Sequence, residues 1–128
     1  KTKEYLYLLS LNSRNKIIAT DLISMGTVNE ALISPREIFK QALVRNAVAI
    51  ILVHNHPSND PNASDTDISV TKTIARCGID MGIPLIDHII IANDSYVSLK
   101  ALNYLEISDS EKKGGVKNEK EKTSRSKP

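Results

Sequence analysis

Tryptophan is absent from this 128-residue chain, aromatic residues make up only 4% of it, and cysteine occurs once, as Cys77. A single cysteine excludes an intramolecular disulfide, and this fits a reducing cytoplasmic compartment. No apolar run approaches the ~20 residues that a membrane-spanning helix needs, so we predict no membrane function. With so few aromatic residues, the core is expected to consist mainly of Ile, Leu, Val and Ala.

A net positive charge is found only in the last twenty residues. Residues 109–128 hold seven Lys or Arg and four Asp or Glu, a formal charge of +3, which leaves −1 for residues 1–108 out of the total of +2. A protein that binds a phosphate backbone over a wide area needs a basic surplus. The charge therefore argues against extensive contact with nucleic acid, although a local basic patch stays possible.

The length and the hydrophobic pattern indicate one α/β (α+β) domain followed by a tail. Residues 108–128 contain one Val and no other large apolar residue, so they are predicted to be a disordered charged tail after a domain at 1–107. The run AVAIILV at 47–53 is typical of a strand buried on both faces, at the centre of a sheet. The other predicted strands are 5–12, 16–24, 27–34 (after an interruption at Gly26), 84–92 and 96–100.

Two helices are predicted from their start signals. Ser34 and Pro35, with Glu37 three residues after the serine, indicate a capping box and a helix at 35–46. Ser64 begins a second helix with a buried stripe that includes Cys77 as a small core residue, and Gly78 is predicted to lie just past its end.

Two histidines follow the buried strand, one residue apart. In an extended chain His54 and His56 project to the same side, with Asn55 opposite. The loop PSNDPNAS is long enough to bring Asp67 back over the strand end. Two imidazoles and one carboxylate leave a fourth position for water, as in catalytic zinc sites. Read separately, Asp67 is the carboxylate of a capping box, and the histidines are polar residues at a strand end.

The stretch HNHPSNDPNASDTD fits the JAMM pattern, in which His-x-His-Pro is followed by Ser-x-x-Asp. Together with the flanking text, including GIPLIDHIIIANDSYVSL, the chain from Glu4 to Leu102 resembles the RadC branch of the JAB/MPN metalloprotein superfamily. The resemblance implies a mixed β-sheet flanked by helices and one Zn²⁺ per chain. It also implies hydrolysis of peptide or isopeptide bonds, with a peptide or protein as substrate.

By motif position, the resemblance makes His54, His56 and Asp67 the zinc ligands and Ser64 a residue that stabilises the oxyanion. A JAMM site also needs a glutamate as general base, which the pattern places at the head of an early strand. Glu4 precedes His54 by fifty residues and opens the strand EYLYLLSL, so it is the predicted base. Glu30 and Glu37 are the alternatives, although capping already explains Glu37.

The residues also allow other interpretations. JAB/MPN folds also serve as non-catalytic interaction modules, and RadC proteins are named for a link to DNA repair. His88 is predicted to be a surface or hydrogen-bonded histidine, with the orientation of a site group as the alternative.

Overall fold

The computed structural model describes residues 3–27 and 34–106, which form one five-stranded sheet and two helices. The elements are β1 (Lys3–Leu11), β2 (Ile17–Thr27), α1 (Pro35–Val44), β3 (Ala49–Asn55), α2 (Asp65–Met81), β4 (Leu85–Ile91) and β5 (Tyr96–Ser98). No helix in these two described ranges is long and apolar enough to cross a membrane.

The sheet is mixed, with the strand order β2-β1-β3-β4-β5. β3 pairs antiparallel with β1 and parallel with β4, and α2 forms the crossover that two parallel neighbours require. The predicted mixed α+β architecture, and the central place of the apolar run at 47–53, are therefore confirmed. The strand itself runs from Ala49 to Asn55, so it begins two residues later than the apolar run and includes His54.

One face of the sheet packs against both helices. Leu8 of β1, together with Ile50 and Leu52 of β3, is completely buried there. Helix α1 contributes Ile38 to the same cluster, and α2 contributes Ile74. Burying an aliphatic side chain of this size stabilises the fold by roughly 1.5–3 kcal/mol. Because alternate residues of a strand share a face, His54 also points to the helical side, two residues after Leu52.

The prediction that an interruption at Gly26 separates two strands is wrong. β2 continues through it to Thr27, because the backbone of Gly26 pairs with that of Glu4 in the antiparallel ladder. Residues 28–33 of the predicted third strand lie outside the described residues, as does the predicted tail at 108–128. The first helix ends earlier than predicted, since Asn46 has a left-handed φ of 57°.

The predicted role of Gly78 is also wrong. α2 extends past it to Met81, and Gly82 with a φ of 73° is the left-handed residue that ends the helix. Gly78 is buried inside the helix, where an added Cβ would lie 2.6 Å from the carbonyl oxygen of Ile83. Glycine therefore allows the close approach of α2 to the segment that leads into β4.

Candidate metal centre

The end of β3 holds two imidazoles side by side. His54 is buried, with 3% of its surface exposed, and His56 is half-buried. Their ring centroids are 4.9 Å apart in an edge-on arrangement. The backbone N–H of His56 donates to the carbonyl oxygen of Ile91 at 2.8 Å, so the parallel ladder with β4 holds this histidine in place just beyond the strand.

The first turn of α2 brings a carboxylate to these rings. Asp67 Oδ2 lies 3.1 Å from His56 Nε2, and Asp67 Oδ1 lies 3.9 Å from His54 Nε2. The same carboxylate closes the capping box, because the backbone N–H of Ser64 donates to Asp67 Oδ2 at 2.9 Å. The capping and metal-binding interpretations of Asp67 are therefore compatible.

His54, His56 and Asp67 could hold a metal ion. One ligand atom from each of the three lies within 4.8 Å of the others. Ligand atoms 2.0–2.2 Å from a tetrahedral ion are about 3.4 Å apart, so a small contraction would bring this group to coordination distance. Two imidazole nitrogens and a carboxylate are also a donor set that Zn²⁺ accepts, and the residues present fit such an ion.

Glu4 lies beside this cluster. It is buried, with 8% of its surface exposed, and its Oε1 is 3.1 Å from His54 Nε2. The neighbouring backbone is held by a side chain, since the N–H of Tyr5 donates to Asn55 Oδ1. Asn55 thus fixes the start of β1 next to the two histidines. The position of Asn55 between them in the sequence did not predict this contact.

The other glutamates lie elsewhere. Glu37 is exposed in the first turn of α1, where its backbone N–H donates to Ser34 Oγ at 3.4 Å. Glu106 is exposed at the end of the described chain, and Glu30 lies outside the described residues. Among the described glutamates, only Glu4 is brought to the cluster.

The hydroxyl of Ser64 caps α2. Its Oγ accepts a hydrogen bond from the backbone N–H of Asp67 at 3.0 Å, and the residue is exposed. In this bond the oxygen is the acceptor, so the hydroxyl hydrogen is available to another group. The predicted oxyanion role of Ser64 stays a prediction.

The electrostatics of the cluster favour an ionised Asp67. Burial alone raises the pKa of this carboxyl, but hydrogen bonds from Ser64 and the nearby charges of His54 and His56 outweigh it, and the pKa lies below its ordinary value. The resulting carboxylate is the form that binds a cation.

His88 lies in the interior, next to His54, and not at the surface. It is fully buried in the middle of β4, and its Nε2 is 3.4 Å from His54 Nδ1. Burial, reinforced by the charge of His54, lowers the pKa of His88 to about 4. The ring is therefore neutral at neutral pH.

Sequence reasoning assigned Thr71 no part in the site. The Thr71 hydroxyl is completely buried and lies 2.6 Å from His88 Nδ1 and 2.7 Å from the carbonyl oxygen of Asp67. Its spacing of four residues from Asp67 was the available signal, because residues four apart share one face of a helix.

Comparison with known proteins supports the resemblance seen in the sequence. The model of the RadC-like JAB domain family matches residues 1–104. A UPF0758 protein of Clostridium novyi is 46% identical over 103 residues, which cover 80% of this chain and 45% of the relative. The UPF0758 protein YsxA of Bacillus subtilis is 43% identical over 104 residues, 81% of this chain and 45% of the relative. The chain thus spans less than half the length of these curated relatives.

Proposed function

Because this chain belongs to the RadC-like JAB domain family, we propose that it is a zinc-dependent hydrolase of the JAMM type that cleaves peptide or isopeptide bonds. One observation carries the proposal. The buried carboxylate of Glu4, which is not one of the three candidate ligands, lies 3.1 Å from the metal-facing nitrogen of His54. A purely structural metal site has no need of a further buried carboxylate at its edge.

The three residues of the cluster would hold one Zn²⁺ per chain through imidazole nitrogens of His54 and His56 and a carboxylate oxygen of Asp67. When bound, the ion supplies a Lewis acid that polarises a carbonyl group and lowers the pKa of water toward ~7. Asp67 contributes the negative charge of the ligand set, and Ser64 orients that carboxylate from the helix start.

Glu4 acts as the proton carrier in this proposal. Its Oε1 accepts a proton from the attacking water and returns it to the leaving amine, which is the standard task of a general base and acid in amide hydrolysis. Burial keeps bulk water from competing for this proton, and the hydrogen bond between Asn55 and the Tyr5 backbone anchors the chain next to Glu4.

Ser64 would stabilise the negative charge that develops on the substrate carbonyl oxygen. Its oxygen is used as an acceptor in the helix cap, while its hydrogen can be donated outward from an exposed position. A donor aimed at developing charge lowers the barrier to acyl transfer.

A peptide or protein is the proposed substrate. The charge of −1 over residues 1–108 does not favour an extended phosphate backbone as the ligand. The alternative functions, a non-catalytic interaction module and a DNA-repair role, find no comparable feature at the cluster, since neither requires a buried carboxylate beside the three ligands.

Glu4→Gln provides the test. The variant should bind zinc with nearly the affinity of the unmodified chain, because Glu4 is not a ligand, but should lose roughly 10²–10⁴-fold in hydrolysis rate. Zinc affinity is measured by competition with a chromophoric chelator. Hydrolysis is measured on a panel of fluorogenic peptide amides and of isopeptides linked through lysine.

Glu106→Gln is the matched control, since it makes the same change at an exposed glutamate. It should leave both measurements unchanged. If the zinc-loaded protein cleaves nothing in the panel, the interaction-module alternative replaces the enzyme. If Glu4→Gln turns over at the full rate, the hydrolase stands and the base is another residue.

A further inference from the structure

A chain of buried hydrogen bonds connects two of the candidate ligands behind the metal cluster. It begins at the carbonyl oxygen of Asp67, passes through the Thr71 hydroxyl and the His88 ring, and ends at His54 Nδ1. Thr71 and His88 both have no exposed surface. Nothing in the catalytic proposal uses either residue.

The direction of these bonds follows from which groups can donate. A carbonyl oxygen only accepts, so the 2.7 Å contact with Asp67 takes the single hydrogen of the Thr71 hydroxyl. The 2.6 Å contact between Thr71 Oγ1 and His88 Nδ1 must then use a hydrogen on the imidazole. In a neutral ring this leaves His88 Nε2 as a bare acceptor.

The contact between His88 and His54 then determines which nitrogen of His54 carries hydrogen. A bare His88 Nε2, 3.4 Å from His54 Nδ1, requires the hydrogen to be on His54 Nδ1. The Nε2 of a neutral His54 then presents its lone pair toward Asp67 and Glu4. If the two bonds of the His88 ring ran the other way, a neutral His54 would carry its hydrogen on Nε2, where it would block a metal ion.

We propose that Thr71 and His88 are positioning residues that fix the hydrogen on His54 Nδ1 and so keep His54 Nε2 available to the metal. This inference rests on the proposed zinc site. Partners behind a ligating histidine set its tautomer and ring orientation, and their loss typically lowers metal affinity 10–100-fold.

The tautomers can be observed directly. Long-range ¹H–¹⁵N correlation spectra of the histidine rings at neutral pH report which nitrogen carries hydrogen. In both zinc-free and zinc-loaded protein, His88 should be protonated on Nδ1 and bare on Nε2. A hydrogen on His88 Nε2 would overturn the inference, whatever the protein does with zinc or substrate.

Thr71→Val and Thr71→Ser give the second measurement. Valine has nearly the shape of threonine but no hydroxyl, so it should lower zinc affinity about 10–100-fold. Serine keeps the hydroxyl and should restore affinity to near the original value. Competition with a chromophoric chelator measures both, and thermal unfolding of the zinc-free variants checks that each one folds.

Thr73→Val is the matched control. Thr73 lies on the same helix and donates to the carbonyl oxygen of Ser69 at 3.2 Å, the same type of bond without an imidazole behind it. Its loss should not change zinc affinity. Equal affinities for folded Thr71→Val and Thr71→Ser would contradict the inference while leaving the zinc site intact. Failure of the unmodified protein to bind zinc would instead remove the proposed function, and the His88 tautomer would still decide the hydrogen-bond direction.

Discussion

The two helices of this protein start with nearly the same local motif, yet their first turns do different things. Each begins after a serine N-cap with an acidic residue three positions later, Glu37 in α1 and Asp67 in α2. Glu37 is exposed, and its backbone N–H is 3.4 Å from the Ser34 hydroxyl. Asp67 is buried, closes the capping box in both directions, and contacts His56.

The difference comes from what lies opposite each helix start. The first turn of α2 faces the end of β3, where His54 and His56 lie, and no comparable group meets Glu37 among the described residues. A capping box needs only residues close in sequence. Its carboxylate joins a candidate metal cluster only where the fold brings histidines across from it, so the serine–acid spacing cannot by itself distinguish a plain cap from a cap beside such a cluster.

Of the carboxylates at the two helix starts, only that of α2 should matter strongly for zinc binding. Asp67→Asn should lower zinc affinity at least about 100-fold, beyond the 10–100-fold typical of a lost outer partner, because a ligand and the negative charge of the ligand set disappear together. The Asn side-chain oxygen can still accept from the backbone N–H of Ser64, so the helix start is retained. Chelator competition gives the affinity.

Glu37→Gln is the counterpart at the first helix. It should bind zinc as the unmodified chain does, because Glu37 is exposed and contacts none of the three ligands. Near-equal zinc affinities for Asp67→Asn and Glu37→Gln would mean that the carboxylate of α2 is a cap and nothing more.

Loss of the serine hydroxyl at either helix start should have a milder consequence. Ser34→Ala and Ser64→Ala each remove an N-cap hydroxyl and should each lower the free energy of unfolding by about 1 kcal/mol, within a range of roughly 0.5–2. Only Ser64→Ala should also weaken zinc binding, because its hydroxyl holds the backbone of Asp67 at 3.0 Å. Urea denaturation of zinc-free protein measures the first effect, and chelator competition the second.

A loss of zinc affinity in Ser34→Ala equal to that in Ser64→Ala would show that the effect comes from general destabilisation. Equal stability losses with a zinc effect confined to Ser64→Ala would separate the two uses of the second helix start.

Features set by local sequence were the ones that could be predicted. The unbroken apolar run at 47–53 predicted the central strand, and the motif around His54 and Asp67 predicted the group that the fold assembles. Gly78 was misassigned because its reason is non-local, the approach of the Ile83 carbonyl oxygen. A glycine in a helical pattern does not indicate whether it ends the helix or admits a neighbouring backbone.

His88 illustrates the same limit at the site. Its neighbours in LIDHIII indicate a strand, but the imidazole that it meets comes from another strand, 34 residues earlier in the chain. Thr71 likewise reads as one position of a helical stripe until the fold places it against the His88 ring. Residues that support a site from behind carry no motif of their own, because their partners are determined by the packing of distant elements.

The opposite end of α1 carries an ion pair that contacts none of the three candidate metal ligands, and its removal should change stability only slightly. Arg45 follows the helix and donates to both oxygens of Asp21 in β2, from Nε at 3.0 Å and from Nη2 at 2.6 Å. These hydrogen bonds from Arg45, opposed in part by burial, hold the pKa of Asp21 below its ordinary value of 3.8. α2 has no such anchor at its C-terminus in the described structure and ends on Gly82 instead.

Asp21→Asn should therefore slightly lower the melting temperature at pH 7. A carboxyl whose pKa is lowered by folding contributes stability above its unfolded pKa and loses it as the pH falls through the folded pKa. The gap between Asp21→Asn and the unmodified protein should shrink as the pH falls through the lowered pKa of Asp21, and it should also narrow in 1 M salt, which screens exposed ion pairs. Asp80→Asn, the same charge change on the exposed side of α2, controls for net charge. A gap of unchanged size in acid would assign the effect to altered packing of β2 and not to the ion pair.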